Sequence, residues 1–352
     1  MERALFWADR GRGRTTPNPV VGAVVVRDDG VILAQGAHLM AGGPHAEVVA
    51  LDAAGDSARG STLYVTLEPC SHTGRTGPCT ERVVAAGVRR VVLATTDPNP
   101  RVAGRGVAFL RAHGVEVTTD VGRTAAREQN ASFFTWITKG RPRVTAKAAM
   151  SADGFVGDGR RPVRLTGAEA DRYFHSQRAE IDAIAVGSGT VLVDDPLLTP
   201  RGAYRHRPLT RVLFDWRGRV PASARLFSTL QTGPVIMVTS AAAHDRNAAH
   251  FAELSRIGVE VEVFDTRDVA PVLRRLGERQ LTSLLVEGGP ALHAALAAAG
   301  LVDRVQCVVT PHVLGSGIPA GTLFTAGLPA RLARTFGLGA DRLTEFDVHR
   351  TD

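Results

Sequence analysis

Lysine is nearly absent from this sequence, and its scarcity shapes the charge. Lys139 and Lys147 are the only lysines, so arginine supplies almost all of the positive charge behind the formal net charge of +7. The chain also lacks any basic block of about five or six residues, and aromatic residues do not alternate with basic ones as in proteins that bind single strands. We therefore expect no nucleic-acid partner. Phosphorylated small molecules suit the arginines better, because the guanidinium fork binds phosphate bidentately.

Long apolar runs and cysteines are scarce as well. No run approaches the ~20 apolar residues that a membrane-spanning helix needs, and the segment from Met1 to Ala4 lacks the apolar core of a secretory signal. Three cysteines cannot form a disulfide framework. Cys307 stands in a strand-like run and is expected to be a buried thiol, whereas Cys70 and Cys79 lie close together in a polar stretch. These features predict a cytoplasmic protein with no membrane partner and with two cysteines available to bind metal.

The chain has 352 residues, which is long enough for two domains, and its patterning is α/β throughout. Residues 20–118 alternate strand-like and helix-like segments, as in a layered fold whose later strands pair in parallel. A helix is predicted over Thr124–Lys139, and the Gly-Arg-Pro sequence that follows it interrupts the pattern. We place the domain boundary there, between a first domain at 1–142 and a second domain at 143–352.

Hydrophobic periodicity and turn residues place the individual elements. In the first domain, strands are expected at 20–26, 31–37, 62–67, 90–94 and 115–117, and helices at 45–54, 79–86 and 107–112. In the second domain, strands are expected at 143–149, 181–186, 211–214, 235–238, 259–263, 283–286 and 304–309, and helices at 167–178, 269–276 and 291–299. No Gly-x-Gly-x-x-Gly fingerprint follows a strand, so a Rossmann dinucleotide fold is not indicated.

Three short motifs of the first domain carry metal-binding chemistry. They are Pro44-His45-Ala46-Glu47, Glu68-Pro69-Cys70 and Pro78-Cys79. Their order matches the signature of zinc nucleobase deaminases, although the two cysteines stand farther apart than in that signature. We expect His45, Cys70 and Cys79 to bind Zn²⁺, which leaves the fourth tetrahedral position to water. Glu47 is the expected catalytic residue, taking the water proton and passing it to the ring nitrogen and the leaving amine.

Other interpretations of these motifs remain open. His72 could supply a fourth ligand, and the zinc site would then be structural, of the Cys2His2 type. Alternatively, a deaminase-like core could act on nucleic acid. Substitution of Glu47 would leave function intact in the first case, and retention on RNA at modest salt would mark the second.

In these and further motifs, the chain resembles the family of bifunctional riboflavin-biosynthesis deaminase/reductases over nearly all of its length. The matching segments of the first half lie at 16–22 (TPNPVVG), 44–48 (PHAEV), 66–72 (TLEPCSH), 74–79 (GRTGPC) and 97–100 (DPNP). The resemblance implies a cytidine-deaminase-like three-layer domain that deaminates 2,5-diamino-6-ribosylamino-4(3H)-pyrimidinone 5′-phosphate. It also implies that Asn18, His72 and Arg75 bind this phosphorylated pyrimidine substrate.

The second half resembles the reductase domain of the same family, which implies a dihydrofolate-reductase-like fold and the cofactor NADPH. The matching segments lie at 147–154, 175–178, 187–190, 194–201 and 286–290. The resemblance implies that the substrate is bound by Arg178, Leu198, Arg201 and Glu287. It implies that the cofactor is bound by Ala149, Arg164, Thr190, Asp194, Thr239, Gly289 and Pro290. We also expect a homo-oligomer, either a dimer or a tetramer.

The reductase half departs from the family pattern in one place. Many relatives carry a tryptophan where this chain has Arg164, and a polar residue where it has Pro162. Arginine cannot supply the same aromatic wall to a cofactor or substrate, and proline lacks a backbone donor. An active deaminase with an altered or inactive reductase-like domain is therefore an alternative to the bifunctional enzyme.

Overall fold

The computed structural model describes residues 1–71, 77–99, 102–321, 324 and 330–348. The chain divides into two compact units, the first unit at Met1–Gly140 and the second unit at Arg141–Asp352. Arg141 belongs to the second unit, where its guanidinium donates to both carboxylate oxygens of Asp303 at 2.6 and 2.9 Å. Within the described part of the chain, no helix combines the length and the apolarity needed to cross a bilayer.

The first unit consists of one sheet with helices on both faces. Its elements are α1 (Glu2–Ala8), β1 (Gly22–Val26), β2 (Ile32–Ala37), α2 (Ala46–Ala54), β3 (Thr62–Val65), α3 (Cys79–Ala85), β4 (Arg90–Leu93), α4 (Arg105–Ala112), β5 (Glu116–Thr118), α5 (Arg123–Gln129) and α6 (Ala131–Lys139). The strands lie in the order β2-β1-β3-β4-β5. β1 runs antiparallel to both of its neighbours, and β3, β4 and β5 pair in parallel.

Two glycines allow helices to approach the sheet closely from opposite faces. A Cβ on Gly22 of β1 would lie 2.0 Å from the carbonyl oxygen of Ala4 in α1. A Cβ on Gly36 of β2 would lie 2.6 Å from the carbonyl oxygen of Ala46 in α2. Gly36 is the register partner of Ala23, the neighbour of Gly22, so the two glycines point to opposite faces of the sheet. These contacts give the first unit its three layers.

The helix predicted over Thr124–Lys139 is not continuous. It is broken at Asn130, which lies between α5 and α6 and has a φ of −104°. The Asn130 side chain is 3% exposed and bonds to both backbone groups of Val20, accepting from its N–H at 2.8 Å and donating to its carbonyl at 2.9 Å. These tertiary bonds hold Asn130 outside the helical conformation, which periodicity alone could not predict.

The second unit is built on a nine-stranded sheet. Its elements are β6 (Arg143–Met150), β7 (Phe155–Gly157), α7 (Ala168–Glu180), β8 (Ala183–Gly187), α8 (Ser188–Asp194), β9 (Thr210–Phe214), β10 (Val235–Ser240), α9 (Ala241–Arg246), α10 (Ala248–Arg256), β11 (Glu260–Phe264), α11 (Val269–Glu278), β12 (Ser283–Val286), α12 (Pro290–Ala298), β13 (Arg304–Val309), β14 (Ile318–Pro319), β15 (Ala330–Leu338) and β16 (Asp341–Val348). The strand order is β11-β10-β9-β8-β12-β6-β13-β16-β15, and β14 pairs with β7.

The first seven strands of that order pair in parallel, and β16 and β15 add an antiparallel edge. Alternate residues of the central strands pack into two separate cores. Ala185 of β8 faces a core that includes α11 and α12, whereas Ile184 faces a core that includes Phe251 of α10. Because the strands are parallel, their carboxyl ends meet at one edge, where ligand sites of open α/β sheets form.

Candidate active sites

A cluster of metal-ligand type lies in the first unit. The ligand atoms of His45, Cys70 and Cys79 all lie within 4.8 Å of one another. The Nδ1 atom of His45 is 3.1 Å from Sγ of Cys79 and 3.6 Å from Sγ of Cys70. Hydrogen bonds from Cys79 and His45 lower the pKa of the Cys70 thiol, which favours the thiolate that binds metal. The structure thus brings together the three residues that the sequence predicts as zinc ligands.

Each ligand of the cluster lies at the end of a regular element. His45 is the N-cap of α2, Cys79 is the first residue of α3 after Pro78, and Cys70 follows β3. The backbone N–H of Cys79 donates to Sγ of Cys70 at 3.4 Å. Helix N-termini favour negative charge, so the start of α3 helps to hold thiolate at Cys70 through that N–H.

Glu47 lies in the first turn of α2, beside the ligand cluster, and is only 3% exposed. Burial raises the pKa of Glu47 to about 7, against the opposing effect of the His45 ring. A carboxyl group that gains and loses a proton near neutral pH is suited to general acid and base catalysis.

The donor set fits a catalytic zinc ion. One imidazole nitrogen and two thiolates are usual zinc ligands, and a tetrahedral ion with three protein ligands keeps one open position. The separations of 3.1 and 3.6 Å between the His45 nitrogen and the two sulfurs are those of atoms that can share one ion. Among the residues that the structure describes, no fourth His, Cys, Asp or Glu side chain belongs to this group. His72, the fourth ligand of the structural alternative, lies outside the described residues, as does Arg75.

Asn18 is oriented by a histidine that the sequence did not single out. Its Nδ2 atom lies 3.1 Å from Nε2 of His38, whose Nδ1 lies 3.0 Å from the carbonyl oxygen of Pro44. Because a carbonyl only accepts, Nδ1 of His38 donates, and its Nε2 accepts from Asn18. The side-chain oxygen of Asn18 remains for another donor. A lone histidine outside the His-x-Glu motif gives no signal in the sequence, so only the fold reveals His38.

The second unit contains a cavity of about 1270 Å³ at the carboxyl edge of its sheet. Nine of the residues predicted to bind substrate or cofactor line it: Ala149, Arg164, Arg178, Thr190, Asp194, Arg201, Glu287, Gly289 and Pro290. Two other residues predicted to bind substrate or cofactor do not line the cavity. Leu198 is 4% exposed and packs in the core with α10, and Thr239 is fully buried within β10.

Three charged groups lie at the inner end of this cavity. Arg178 of α7 donates from Nε and Nη2 to the two oxygens of Glu287, at 2.8 and 2.5 Å. Burial alone would raise the pKa of Glu287, but the Arg178 guanidinium and the Lys147 ammonium hold it at about 2. Burial lowers the pKa of Lys147, and the Glu287 carboxylate opposes that shift. Glu287 is therefore a carboxylate at neutral pH.

Lys147 begins the matching segment 147–154 but is not among the predicted site residues. It is one of two lysines in the chain, and it lies on β6 on the same face as Ala149. Its Nζ atom is 4.4 Å from the centroid of the Phe174 ring. A lysine among the alanines of a strand with alternate buried residues was the available signal, because a charge there needs a partner.

Arg201 and Arg164 lie on the wall of the cavity and contact different partners. The backbone N–H of Arg201 donates to Nδ1 of His175 at 3.1 Å, and its guanidinium lies 3.3 Å from Nε2. Arg164 donates to Asp171 at 2.8 Å, and Asp171 also accepts from Thr166. The Arg164 side chain is 73% exposed, so this ion pair leaves most of the guanidinium accessible.

The turn from β12 to α12 requires glycine. A Cβ on Gly288 would lie 2.7 Å from Oγ1 of Thr190 and 2.9 Å from a methyl group of Val186. Gly289 has a φ of +71°, a conformation that favours glycine, and Pro290 starts the helix. Bare backbone amides at this helix start can bind a phosphate group of a cofactor.

Two family models match the chain. The cytidine and deoxycytidylate deaminase zinc-binding region matches residues 1–95, and the RibD C-terminal domain matches residues 142–341. The riboflavin biosynthesis protein RibD of Aquifex aeolicus is 39% identical over 351 residues, which are 98% of this chain and 97% of that protein. RibD of Escherichia coli is 39% identical over 329 residues, with coverage of 90% and 88%.

Solved structures agree with these sequence matches. RibD of Acinetobacter baumannii superposes with a TM-score of 0.87 at 34% identity, covering 99% of this chain and 98% of the other. A diaminohydroxyphosphoribosylaminopyrimidine deaminase/5-amino-6-(5-phosphoribosylamino)uracil reductase of Thermotoga maritima gives the same TM-score and identity, with coverage of 99% and 97%. The matches confirm the predicted α/β fold class with a cytidine-deaminase-like first domain. They also confirm the predicted cofactors, zinc for the deaminase domain and NADPH for the reductase domain.

Proposed function

The chain belongs to the RibD family of riboflavin-biosynthesis enzymes, which join a deaminase to a reductase, and from that premise we propose how its own residues perform both steps. The first unit hydrolyses the ring amine of 2,5-diamino-6-ribosylamino-4(3H)-pyrimidinone 5′-phosphate and releases ammonia. The second unit reduces the ribosyl side chain of the product to ribityl. The Thermotoga maritima neighbour supports these substrates, because its name states both a pyrimidine deaminase and a uracil reductase.

One observation carries the deaminase assignment. A buried carboxyl group, Glu47, lies beside His45, Cys70 and Cys79, whose ligand atoms lie within 4.8 Å of one another. A structural zinc site has no use for a buried carboxyl group at its margin, because burying one is costly. Hydrolytic deamination needs such a group to move protons.

In the first unit, His45, Cys70 and Cys79 hold the zinc ion, which supplies the Lewis acidity that makes water nucleophilic near neutral pH. Glu47 accepts the proton of the attacking water on a carboxylate oxygen. It then delivers that proton to the ring nitrogen and, in a later transfer, to the leaving amine. Asn18, with its amide nitrogen bound by His38, presents its oxygen to a donor group of the pyrimidine. His72 and Arg75 are proposed to border the ribose phosphate.

In the second unit, the inner end of the cavity binds the ribosyl side chain. Arg178 and Glu287 hold each other in place, and Glu287 accepts hydrogen bonds from the hydroxyl groups of the substrate. Lys147, whose pKa burial lowers, donates a proton toward the oxygen of the opening ribose. Arg201 binds the 5′-phosphate. NADPH, when bound, would supply the hydride for reduction at C1′ of the sugar.

The remaining predicted contacts are assigned to the cofactor. Ala149, Thr190, Asp194, Gly289 and Pro290 line the cavity on either side of the β12–α12 turn and are proposed to bind NADPH. Arg164 is proposed to cover the nicotinamide with its guanidinium plane, in place of the aromatic wall of many relatives. Leu198 and Thr239 are buried, so their proposed contribution is to pack behind the residues that line the cavity.

We propose further that the enzyme is cytoplasmic, forms a homo-oligomer and binds no nucleic acid. Thiolate ligands suit a reducing compartment. The outer strand β15 carries exposed side chains, among them Leu332 at 57% exposure, and an open edge strand of this kind suits self-association. Light scattering on the eluting protein would give the mass, and a monomer would contradict the oligomer.

The experiment that tests the deaminase assignment is the substitution Glu47→Gln. We expect deamination to fall by two to four orders of magnitude, in line with the loss of a general acid and base. Zinc content should be unchanged, since Glu47 is not a ligand. Reduction of the pre-deaminated substrate should also be unchanged, and this activity serves as the internal control. Full deaminase activity in the Glu47→Gln protein would overturn the assignment.

A further inference from the structure

His175 of α7 and Arg201 of the loop after α8 contact each other at two places. The backbone N–H of Arg201 donates to Nδ1 of His175 at 3.1 Å, and Nη2 of the Arg201 guanidinium lies 3.3 Å from Nε2 of the same ring. A neutral imidazole has one acceptor nitrogen and one N–H group, so it cannot accept from both. One of the two contacts therefore joins a donor to a donor.

The backbone contact fixes which nitrogen of His175 carries the hydrogen. A backbone N–H has a direction set by the chain, whereas a guanidinium group can turn about its side-chain bonds. The Arg201 N–H points at Nδ1, so Nδ1 holds the lone pair and Nε2 carries the hydrogen. Burial and the charges of Arg178 and Arg201 lower the pKa of His175. The carboxylates of Glu287 and Asp171 oppose that shift, and the ring is neutral at pH 7.

Nε2–H of His175 and the Arg201 guanidinium are here called the donor pair, and the carboxylates near them are occupied. In the part of the chain that the structure describes, Arg201 forms no ion pair with an acidic residue. Asp171, one turn before His175 on α7, accepts from two other side chains at 2.7 and 2.8 Å. Glu287 accepts from both arms of Arg178. An acceptor that both members of the pair share must come from a ligand, and an oxyanion suits them.

The donor pair lies at the mouth of the cavity, one helical turn from its inner end. His175 precedes Arg178 by three residues in α7, a rise of ~4.5 Å on the same helix face, and Arg178 holds Glu287 at the inner end. Arg201 lines the cavity and is exposed, and His175 lies beside it, just outside the lining. Arg178 also donates to the carbonyl oxygen of Thr199 at 3.4 Å. The loop is thus fastened to α7 at two points.

We propose that His175 and Arg201 together bind the 5′-phosphate of the reductase substrate, with Nε2–H of His175 and the guanidinium donating to the same phosphate group. His175 then acts in two ways, because its Nδ1 holds the backbone of Arg201 and its Nε2–H supplies a second donor. The inference rests on the proposed reductase function and names a further substrate-binding residue for it. A sugar whose hydroxyl groups reach Glu287 places its phosphate one turn along α7, at the donor pair.

The test compares the phosphorylated and dephosphorylated forms of the pre-deaminated substrate in NADPH-dependent reduction by the full-length protein. His175→Phe keeps a ring but removes both nitrogens. We expect it to raise KM for the phosphorylated form about tenfold, the effect of losing one charge-assisted hydrogen bond. kcat should stay within about twofold, since the phosphate is bound alike before and during the reaction. kcat/KM for the dephosphorylated form should be unchanged, because the contact is absent from it.

Two further variants separate binding from support of the fold. His175→Gln is the conservative one, since its amide oxygen can accept from the Arg201 N–H while its amide nitrogen donates to phosphate. It should bring KM to within about threefold of the wild-type value. His206→Phe is the matched control, because His206 is exposed on the same loop as Arg201 and does not line the cavity. KM for NADPH should be the same in the wild type and all three variants.

The possible results separate the donor pair from other roles. An equal loss of kcat/KM with both forms of the substrate would show that His175 only supports the fold. A raised KM for NADPH would place the donor pair at the cofactor instead. Either result, or a wild-type KM in His175→Phe, overturns the proposal. A wild-type protein that reduces neither form of the substrate would instead overturn the reductase function itself.

Discussion

Glu287 shows how one residue couples the proposed reductase site to stability. Its carboxylate is buried against Arg178 and near Lys147, which hold its pKa at about 2 instead of the usual 4.5. The folded protein therefore binds the proton of Glu287 less readily than the unfolded chain does. The stabilising effect is fully present above about pH 4.5 and is lost as the pH falls toward 2, and its size is about 3 kcal/mol.

We predict that the free energy of unfolding of the wild-type protein exceeds that of a Glu287→Gln variant by about 3 kcal/mol at pH 7, because the substitution leaves Arg178 buried without its partner. The difference should shrink as the pH is lowered through 4 toward 3, since the Glu287 carboxyl then takes up a proton in the unfolded chain while it stays ionised in the folded protein. Urea titrations at several pH values measure it. Glu253→Gln, a change at an exposed position of α10, is the control. A difference that does not vary with pH would contradict the account.

Residues differed in how far the sequence could predict them. His45, Glu47, Cys70 and Cys79 stand in short motifs whose residue types and order carry the chemistry. The structure groups His45, Cys70 and Cys79, and Glu47 interacts with them. His38 and Lys147 carry no such motif, because their roles arise from contacts between residues distant along the chain. Arg217 and Arg267 look like ordinary surface arginines in the sequence, and only the strand order places them on one cavity.

At the scale of elements, Glu68 joins the start of α4 to the turn that carries Cys70. Its Oε1 atom accepts from the N–H groups of Gly106 and Val107 at 2.9 and 3.1 Å, and its Oε2 atom accepts from those of Asp97 and Gly104 at 3.1 and 3.0 Å. A Cβ on Gly106 would lie 2.2 Å from the carbonyl oxygen of Pro69, so the helix approaches this turn as closely as the backbone allows.

We predict that Glu68→Gln lowers the free energy of unfolding by about 2 kcal/mol, because an amide nitrogen would face two backbone donors in a buried site. Zinc should also be lost faster to a chelator, since the turn that holds Cys70 is no longer anchored. Unfolding titrations and a colorimetric zinc-release assay measure the two effects. Glu81→Gln on the exposed side of α3 is the control. Zinc release at the wild-type rate would show that α4 does not position Cys70.

Elements with clear periodicity were predictable, and elements shaped by tertiary contacts were not. Every predicted strand is present, with ends shifted by two residues or fewer, because each is a short apolar run between turn residues. The hairpin of β15 and β16 was missed, since most side chains of β15 are exposed and give no alternating pattern. The break at Asn130 was missed because its cause, the backbone of Val20, lies far away in the sequence.

On the scale of the whole molecule, the two sites are built from separate parts of the chain. The proposed zinc ligands lie between residues 45 and 79 of the first unit, and the cavity proposed as the reductase site is lined by residues between 147 and 320 of the second unit. Among the residues that the structure describes, one group of three or more side chains could hold a metal ion, and it consists of His45, Cys70 and Cys79. The two activities should therefore differ in their need for metal.

We predict that a zinc chelator abolishes deamination and leaves reduction of the pre-deaminated substrate within about twofold of its starting rate, because the metal supplies chemistry only at the first site. Added zinc should restore deamination. Ammonia release and NADPH oxidation, followed in parallel on one sample, measure the two activities. A parallel loss of both would mean that the second unit also depends on the metal.

The central claim, that one chain performs both steps, is tested most directly by the masses of the products. Zinc-loaded protein is incubated with the diaminopyrimidine ribotide, once without NADPH and once with it. The account predicts replacement of one amino group by oxygen in the first sample, and a further gain of two hydrogens in the second. Deamination without reduction would point to Arg164 and Pro162 as marks of an altered reductase, and the absence of deamination would contradict the account itself.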